Sequence, residues 1–243
     1  MVSDIHSHTN FSPDGDNDPE TLVCEMIKQG IEVFGICDHN YGIADRREEY
    51  LSSIGALKEK YKGKMDILCG IEMSTVSGFE FSAPPSSRFD YCLVEHLDIP
   101  YSVMNGDIVS YVKDYGCPVG IAHTDIFLFA EQRGMDVQKY LKSLADAGIF
   151  WELNVNYDSI HGYRELDYVK RFYQDTRQQD AVREAGLYIS VGFDGHRLKD
   201  YVADRVRAAN EFIENGGFNN AITLIRSKQN ENKFSAKRKK GTI

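Results

Sequence analysis

No apolar run in this sequence approaches the ~20 residues needed to cross a bilayer, so a membrane-spanning protein is not expected. The opening segment MVSDIHSH has no basic stretch followed by an apolar one and runs straight into a candidate strand. Without a signal-peptide pattern, a cytoplasmic location is the expectation. The five cysteines, Cys24, Cys37, Cys69, Cys92 and Cys117, are odd in number, far apart and free of any C-x-x-C pair. That spacing argues against a disulfide framework and a structural zinc knuckle. Several lie in apolar runs, where a cysteine behaves as a small hydrophobe. Positive charge is short as well: 28 Lys and Arg face 37 Asp and Glu, a formal net charge of -9. Such a protein is a poor candidate for tracking a nucleic-acid backbone. No G-x-G-x-x-G follows a strand and no Walker A loop is present, so neither nucleotide-binding turn is expected.

What is present fits one generous domain of 243 residues with 42% hydrophobic content. Short apolar, β-branched or aromatic runs occur at VSDIH, EVFGICD, DILCGIE, DYCLVEH, PVGIAH, IFWELNVN and YISVGFD. Segments with helical spacing lie between most of them. Over residues 18–30, Asp18 can cap, Pro19 suits the first helical position, and Leu22, Val23, Met26 and Ile27 form one face before Gly30. Further helices are expected over 44–61, 105–116, 135–148 and 165–186, and a long loop or hairpin over 75–90. Alternating β and α units predict an α/β protein with a parallel sheet, open or closed into a barrel. The basic C-terminus, residues 229–243, reads as a flexible solvated tail after a domain spanning 1–228.

The polar residues fall in a pattern. The first strand ends at His6 and His8, a pair at i and i+2 that shares one face, with Asp14 close behind. The second ends at Asp38 and His39, the third at Glu72, the fourth at His96 and the fifth at His123. The sixth ends at Asn154 and Asn156, and the seventh at Asp194 and His196. Six of the seven histidines therefore stand at strand ends, His161 being the exception. In α/β barrels that face carries the active site. Imidazoles and carboxylates gathered there predict a metal site.

These segments resemble the PHP family, named for polymerase and histidinol phosphatase domains. The matching motifs are D-x-H-x-H at Asp4–His8, D-H at Asp38–His39, G-I-E at Glu72, single histidines at His96 and His123, and D-x-H at Asp194–His196. Within the family, the single-domain form and the FSPDG stretch look most like the histidinol phosphatases. The resemblance implies a distorted seven-stranded (β/α) barrel of the TIM type and three divalent metals, zinc, manganese or iron. It implies that His6 and His8 share the first metal with Glu72 and Asp194. Glu72 would bridge to a second metal held by His96 and His123, and Asp14, His39 and His196 would hold a third. Asp4, Asp38 and Asn154 are expected as outer partners that orient the ligands.

Such a centre implies a phosphoesterase in which a metal-bridging hydroxide attacks a small phosphate monoester. Glu72, Asp194, His39 and Asp38 would carry the chemistry. Either the Asp38–His39 pair or a metal-bound water would protonate the leaving group. Arg164 and Arg197 are candidates to grip the phosphate oxygens, and Tyr41, Tyr157 and His161 could line the pocket. Rival readings are a nuclease or nucleotide phosphatase of the same family, a metal-dependent amidohydrolase and a non-catalytic scaffold. The amidohydrolase lacks its bridging lysine, since the fourth strand ends VEHLD. The small phosphate ester is the expected partner, with no membrane or nucleic acid, and oligomeric state is left open.

Overall fold

A computed structural model describes residues 1–79, 84–104 and 106–240, with side chains to residue 232. The chain begins with β1 (Ser3–Asp4), α1 (Pro19–Lys28), β2 (Val33–Ile36), α2 (Asn40–Ile43) and α3 (Arg47–Lys60). Next come β3 (Asp66–Cys69), β4 (Glu72–Ser74), β5 (Cys92–Glu95), α4 (Ile108–Tyr111), β6 (Val119–Ile121), α5 (Ile126–Gln132) and α6 (Val137–Asp146). The last third holds β7 (Ile149–Asn154), α7 (Asp167–Gln174), α8 (Thr176–Ala185), β8 (Tyr188–Gly192), α9 (Ala203–Asn215), β9 (Asn219–Asn220) and α10 (Ala221–Lys240).

Helix α1 forms as its sequence predicts, with the Asp18 carboxylate accepting from Glu20 N and Thr21 N ahead of Pro19. The helix expected over 165–186 is two helices instead. Asp175 takes an extended backbone and caps α8 through Arg177 N and Gln178 N, which breaks the run. The helix expected over 105–116 shrinks to the single turn of α4. Of the stretch 75–90, residues 80–83 lie outside the described residues; Val76 pairs with Ser102 in an isolated antiparallel bridge.

All strand pairing within the sheets is parallel, β1-β2-β3 in one sheet and β4-β5-β6-β7-β8-β9 in the other. One closed seven-stranded ladder is therefore not what forms. The expected third strand is interrupted at Gly70, where the Tyr91 ring occupies the space a side chain would need: a Cβ on Gly70 would lie 2.3 Å from Tyr91 Cζ. Backbone contacts nevertheless draw the sheets together. Ile5 N donates to Val191 O at 3.0 Å, Asp194 N donates to His6 O at 2.7 Å, and His39 bridges Glu72 in parallel.

Two apolar layers follow from the strand alternation. Ile5, Cys37, Tyr91, Leu93, Ala122 and Phe150 form an inner cluster closed by Ala221, Ile222 and Ile225 of α10. Phe34, Ile36, Val94, Ile121, Trp151 and Leu153 face outward against the helices, with Met26, Leu144 and Phe172. The boundary expected at residue 228 falls inside α10, which runs on to Lys240. No Gly or Pro interrupts 221–240, and Gln229 Nε2 donates to Asp90 Oδ1 at 2.7 Å. No helix among the described residues is long and apolar enough to cross a membrane.

Candidate metal centre

Two local devices bring the polar strand ends together. The first is alternation: inner Phe150 is followed at the same phase by Glu152 and Asn154, and inner Leu93 by Glu95. The second is a left-handed backbone at three strand ends. His96, His123 and Asp194 have φ of 62°, 23° and 57°. Outside glycine such a conformation costs about 1–3 kcal/mol per residue and gathers at functional sites. It turns His96 and His123 inward from positions that alternation would send outward.

The residues expected for the first metal come together. His6 Nε2 lies 3.2 Å from Glu72 Oε1 and 3.5 Å from Asp194 Oδ1. His8 Nε2 lies 3.1 Å from Asp194 Oδ1 and 3.5 Å from Glu72 Oε2. All four residues are buried. A second group joins Asp14 Oδ2 to His39 Nε2 and to His196 Nε2, each at 3.5 Å. Of the group expected around the second metal, His123 Nε2 is 3.1 Å from Glu72 Oε1. His96 stands further out, its Nδ1 3.2 Å from both Ser74 Oγ and Glu95 Oε2 and its ring centre 6.5 Å from that of His123.

Several expected roles need correction. Asp38 does not face the cluster: its carboxylate accepts from Thr9 N, Thr9 Oγ1, Ser12 N and Ser12 Oγ at 2.7–3.1 Å. It sits one residue out of phase with inward-facing His39 and orders the loop that carries Asp14. Asp4 orients backbone rather than imidazoles, accepting from Phe193 N, His6 N and Tyr201 Oη. Asn154 contacts two of the clustered carboxylates; its Nδ2 is 3.2 Å from Glu152 Oε2 and 3.4 Å from Asp194 Oδ2. Arg197 is engaged by Asp16 and Ser159, whereas Arg164 is exposed and without a polar partner among the described residues. Tyr41 stacks on His39 at 4.7 Å, while Tyr157 packs against Tyr163 and Arg205.

Three carboxylates escaped the sequence reading. Glu152 Oε1 holds His6 Nδ1 at 2.7 Å, and its Oε2 accepts from His123 N at 2.8 Å. Asp158, fully buried, holds His161 Nδ1 at 2.8 Å, which brings His161 Nε2 to 3.6 Å from Asp194 Oδ2. Glu95 lies beside His96 and His39. For Glu152 and Glu95 the available signal was a charged residue set inside an apolar strand, in FWELN and CLVEH.

Gly192 makes room for the His6–Glu152 pair: a Cβ there would lie 2.0 Å from Glu152 Oε1 and 2.6 Å from His6 Cβ. Gly192→Ala should cost about 1–3 kcal/mol through overpacking, lowering Tm by roughly 2–12 °C. It should also weaken metal binding, because His6 must shift. A thermal melt and a metal titration check both, and an unchanged melt would contradict the close fit.

Comparison with known proteins decides the family. Residues 4–240 match the PHP domain. This chain belongs to the PHP family. It is 23% identical over 278 residues to a histidinol-phosphatase of Lactococcus lactis subsp. lactis (strain IL1403), covering 96% of this chain and 98% of that protein. A probable phosphatase of Acetivibrio thermocellus is 25% identical over 215 residues, covering 81% and 80%. In structure, the chain is similar to histidinol phosphate phosphatase of Lactococcus lactis complexed with zinc, L-histidinol and phosphate. That match has a TM-score of 0.65 at 20% identity and covers 90% of this chain and 95% of the other. At that identity the likeness shows the fold.

Does the donor set of this PHP chain fit cations? Asp14 Oδ1, Glu95 Oε1 and Asp158 Oδ2 are buried and have no hydrogen-bond partner. Unsatisfied buried polar atoms are rare because each is costly, and an ion would satisfy these. The charges agree. Burial opposes ionisation of Glu72, but His6 and His39 hold its carboxyl well below the usual range. Asp194 is likewise held down against burial by His6 and His8. Burial would depress His39, yet Glu72 and Asp14 push it up to about 11; against the same burial, Asp14 and Asp158 push His196 up to about 10. His8, buried and beside His39, falls to about 3 and is neutral, ready to ligate. The set fits divalent cations bound by nitrogen and oxygen.

Proposed function

We propose that this chain is a metal-dependent phosphoesterase that hydrolyses a small phosphate monoester, with histidinol phosphate the first substrate to test. The observation that carries this reading is the convergence of His6, His8, Glu72 and Asp194, with donor atoms of the two histidines 3.1–3.5 Å from the carboxylates. Family membership and the names of the two phosphatase relatives support it. We read β1–β8 as a distorted seven-stranded barrel in which β3 and β4 are one interrupted strand.

Three divalent ions, zinc, manganese or iron, are assigned to this centre. His6, His8, Glu72 and Asp194 would hold the first. Glu72, His96 and His123 would hold the second, and Asp14, His39 and His196 the third. Divalent ions held by these residues would lower the pKa of water from ~15.7 to about 7 and would offset charge developing on the phosphate ester.

The protein's own groups supply the rest. Glu152 fixes His6 through Nδ1, so that Nε2 is the atom presented to the centre. Asp158 does the same for His161, whose half-exposed ring then directs Nε2 toward the cluster as the proton source for the leaving alkoxide. This assignment takes over the role expected of Asp38. Arg197 and Arg164 are assigned to the non-bridging phosphate oxygens, Arg197 being held by Asp16 and Ser159.

Phosphate release from a panel of monoesters, with Mn²⁺ or Zn²⁺ supplied, tests the reading. We expect turnover of phosphate monoesters, with L-histidinol phosphate preferred. A fully metal-loaded protein that releases phosphate from none of them would overturn it. Release without preference would retain the reaction and reject histidinol phosphate as the specific substrate.

A further inference from the structure

Glu95 lies outside the nine ligands assigned by family resemblance. It ends β5, at the same phase as inner Leu93, and is only 3% exposed. No lysine or arginine pairs with it among the described residues. Its ionic neighbours are imidazoles: His96 Nδ1 at 3.2 Å, His39 Nδ1 at 3.7 Å and His123 Nε2 at 3.9 Å. Its Oε1 has no hydrogen-bond partner, while Glu72 Oε2 and His39 Nδ1 beside it face each other at 2.8 Å. Ligand atoms from Glu95, Glu72 and His39 lie within 4.8 Å of one another.

Burying a carboxylate beside a second carboxylate is expensive unless a cation sits between them, and once the imidazoles give up their protons to ligate, only a metal ion can be that cation. Bland explanations are weak here. A helix-capping role fails because the side chain points inward, and a surface ion pair fails because the residue is buried. We infer that Glu95 is itself a metal ligand, adding a second carboxylate to the ion that Glu72 shares on the His96–His123 side of the centre. The inference rests on the metal-centre reading above. It also has a chemical consequence. An added carboxylate hardens the donor set, so this position should favour manganese or iron over zinc more than a histidine-rich position does.

Metal content and affinity of the whole protein test it, independently of any activity. Wild type and Glu95→Gln are loaded with Mn²⁺ or Zn²⁺, dialysed, and analysed for bound metal and for affinity by chelator competition. We expect Glu95→Gln to lose about one ion per chain or to bind that ion at least ~10-fold more weakly, with Mn²⁺ affected more than Zn²⁺. Equal content and affinity in the two proteins would overturn the role of Glu95 and leave the phosphoesterase reading intact. Wild type holding less than one ion per chain would overturn both. Should the variant fold poorly, wild-type crystals soaked in Mn²⁺ decide by anomalous scattering. A peak about 2.0–2.2 Å from a Glu95 carboxylate oxygen, an ordinary first-row metal–carboxylate distance, supports ligation; peaks only beyond that reach overturn it.

Discussion

Glu72→Gln should lower turnover by about 10³-fold, the upper end of what losing one charge-stabilising group in an active site costs. Bound metal should fall with it. Glu72 is the residue on which the proposed centre turns. Its two oxygens reach His6, His8, His39 and His123 at 2.8–3.5 Å, and it is 1% exposed. Gln keeps the shape and removes the charge. Loss of an outer partner of a metal ligand already costs ~10–100-fold in affinity or activity, so loss of a carboxylate shared by several histidines should cost more. The fold should survive. Without Glu72 the buried histidines lose a partner that favours their charged form, so they can become neutral, the state that burial itself prefers. Metal analysis, circular dichroism and steady-state rates on the best monoester check the three parts. Near-normal rates would remove Glu72 from the mechanism.

The difference between Glu72 and Asp38 shows what the sequence could and could not disclose. Both stand at strand ends in motifs shared with the family, and both were assigned to the chemistry. Counting phase from inner Cys37 sends Asp38 outward and His39 inward, and the structure follows that count. Once Cys37 is placed on the inner face, period two separates the two residues. It was also enough to flag Glu152 and Glu95, charged residues at inward phases of apolar strands. The positions of His96 and His123 were not legible in this way. Their inward turn depends on left-handed backbone at non-glycine residues, which the surrounding structure imposes and no local propensity announces. Elsewhere the misses have a similar cause. The break at Asp175 required choosing between helix interior and cap for a residue that can serve as either. The interruption at Gly70 required knowing that Tyr91, distant in sequence, fills that space.

Stripping the metals with a chelator should abolish turnover and lower Tm by roughly 8–16 °C for one site held at a thousand times its Kd. Such occupancy contributes ~4.1 kcal/mol, and a domain of this size shifts ~2–4 °C per kcal/mol. Why should the protein remain folded at all? In the metal-free state the carboxylates and imidazoles neutralise one another. Glu72 and Asp14 hold His39 charged, with its pKa near 11, and Asp14 and Asp158 hold His196 near 10. His123, favoured by Glu72 over the opposing effect of burial, rises to about 9. At pH 7 these three carry protons that a metal must displace, because only a neutral imidazole ligates. Reloading the stripped protein should therefore release protons, and loading should weaken as pH falls. His8, at about 3, has no proton to give up at neutral pH. Calorimetric titration with Mn²⁺ in two buffers of different ionisation enthalpy measures the number released. A value near zero would mean that the ions bypass His39, His123 and His196, and the assigned centre would then be wrong even if metal were bound.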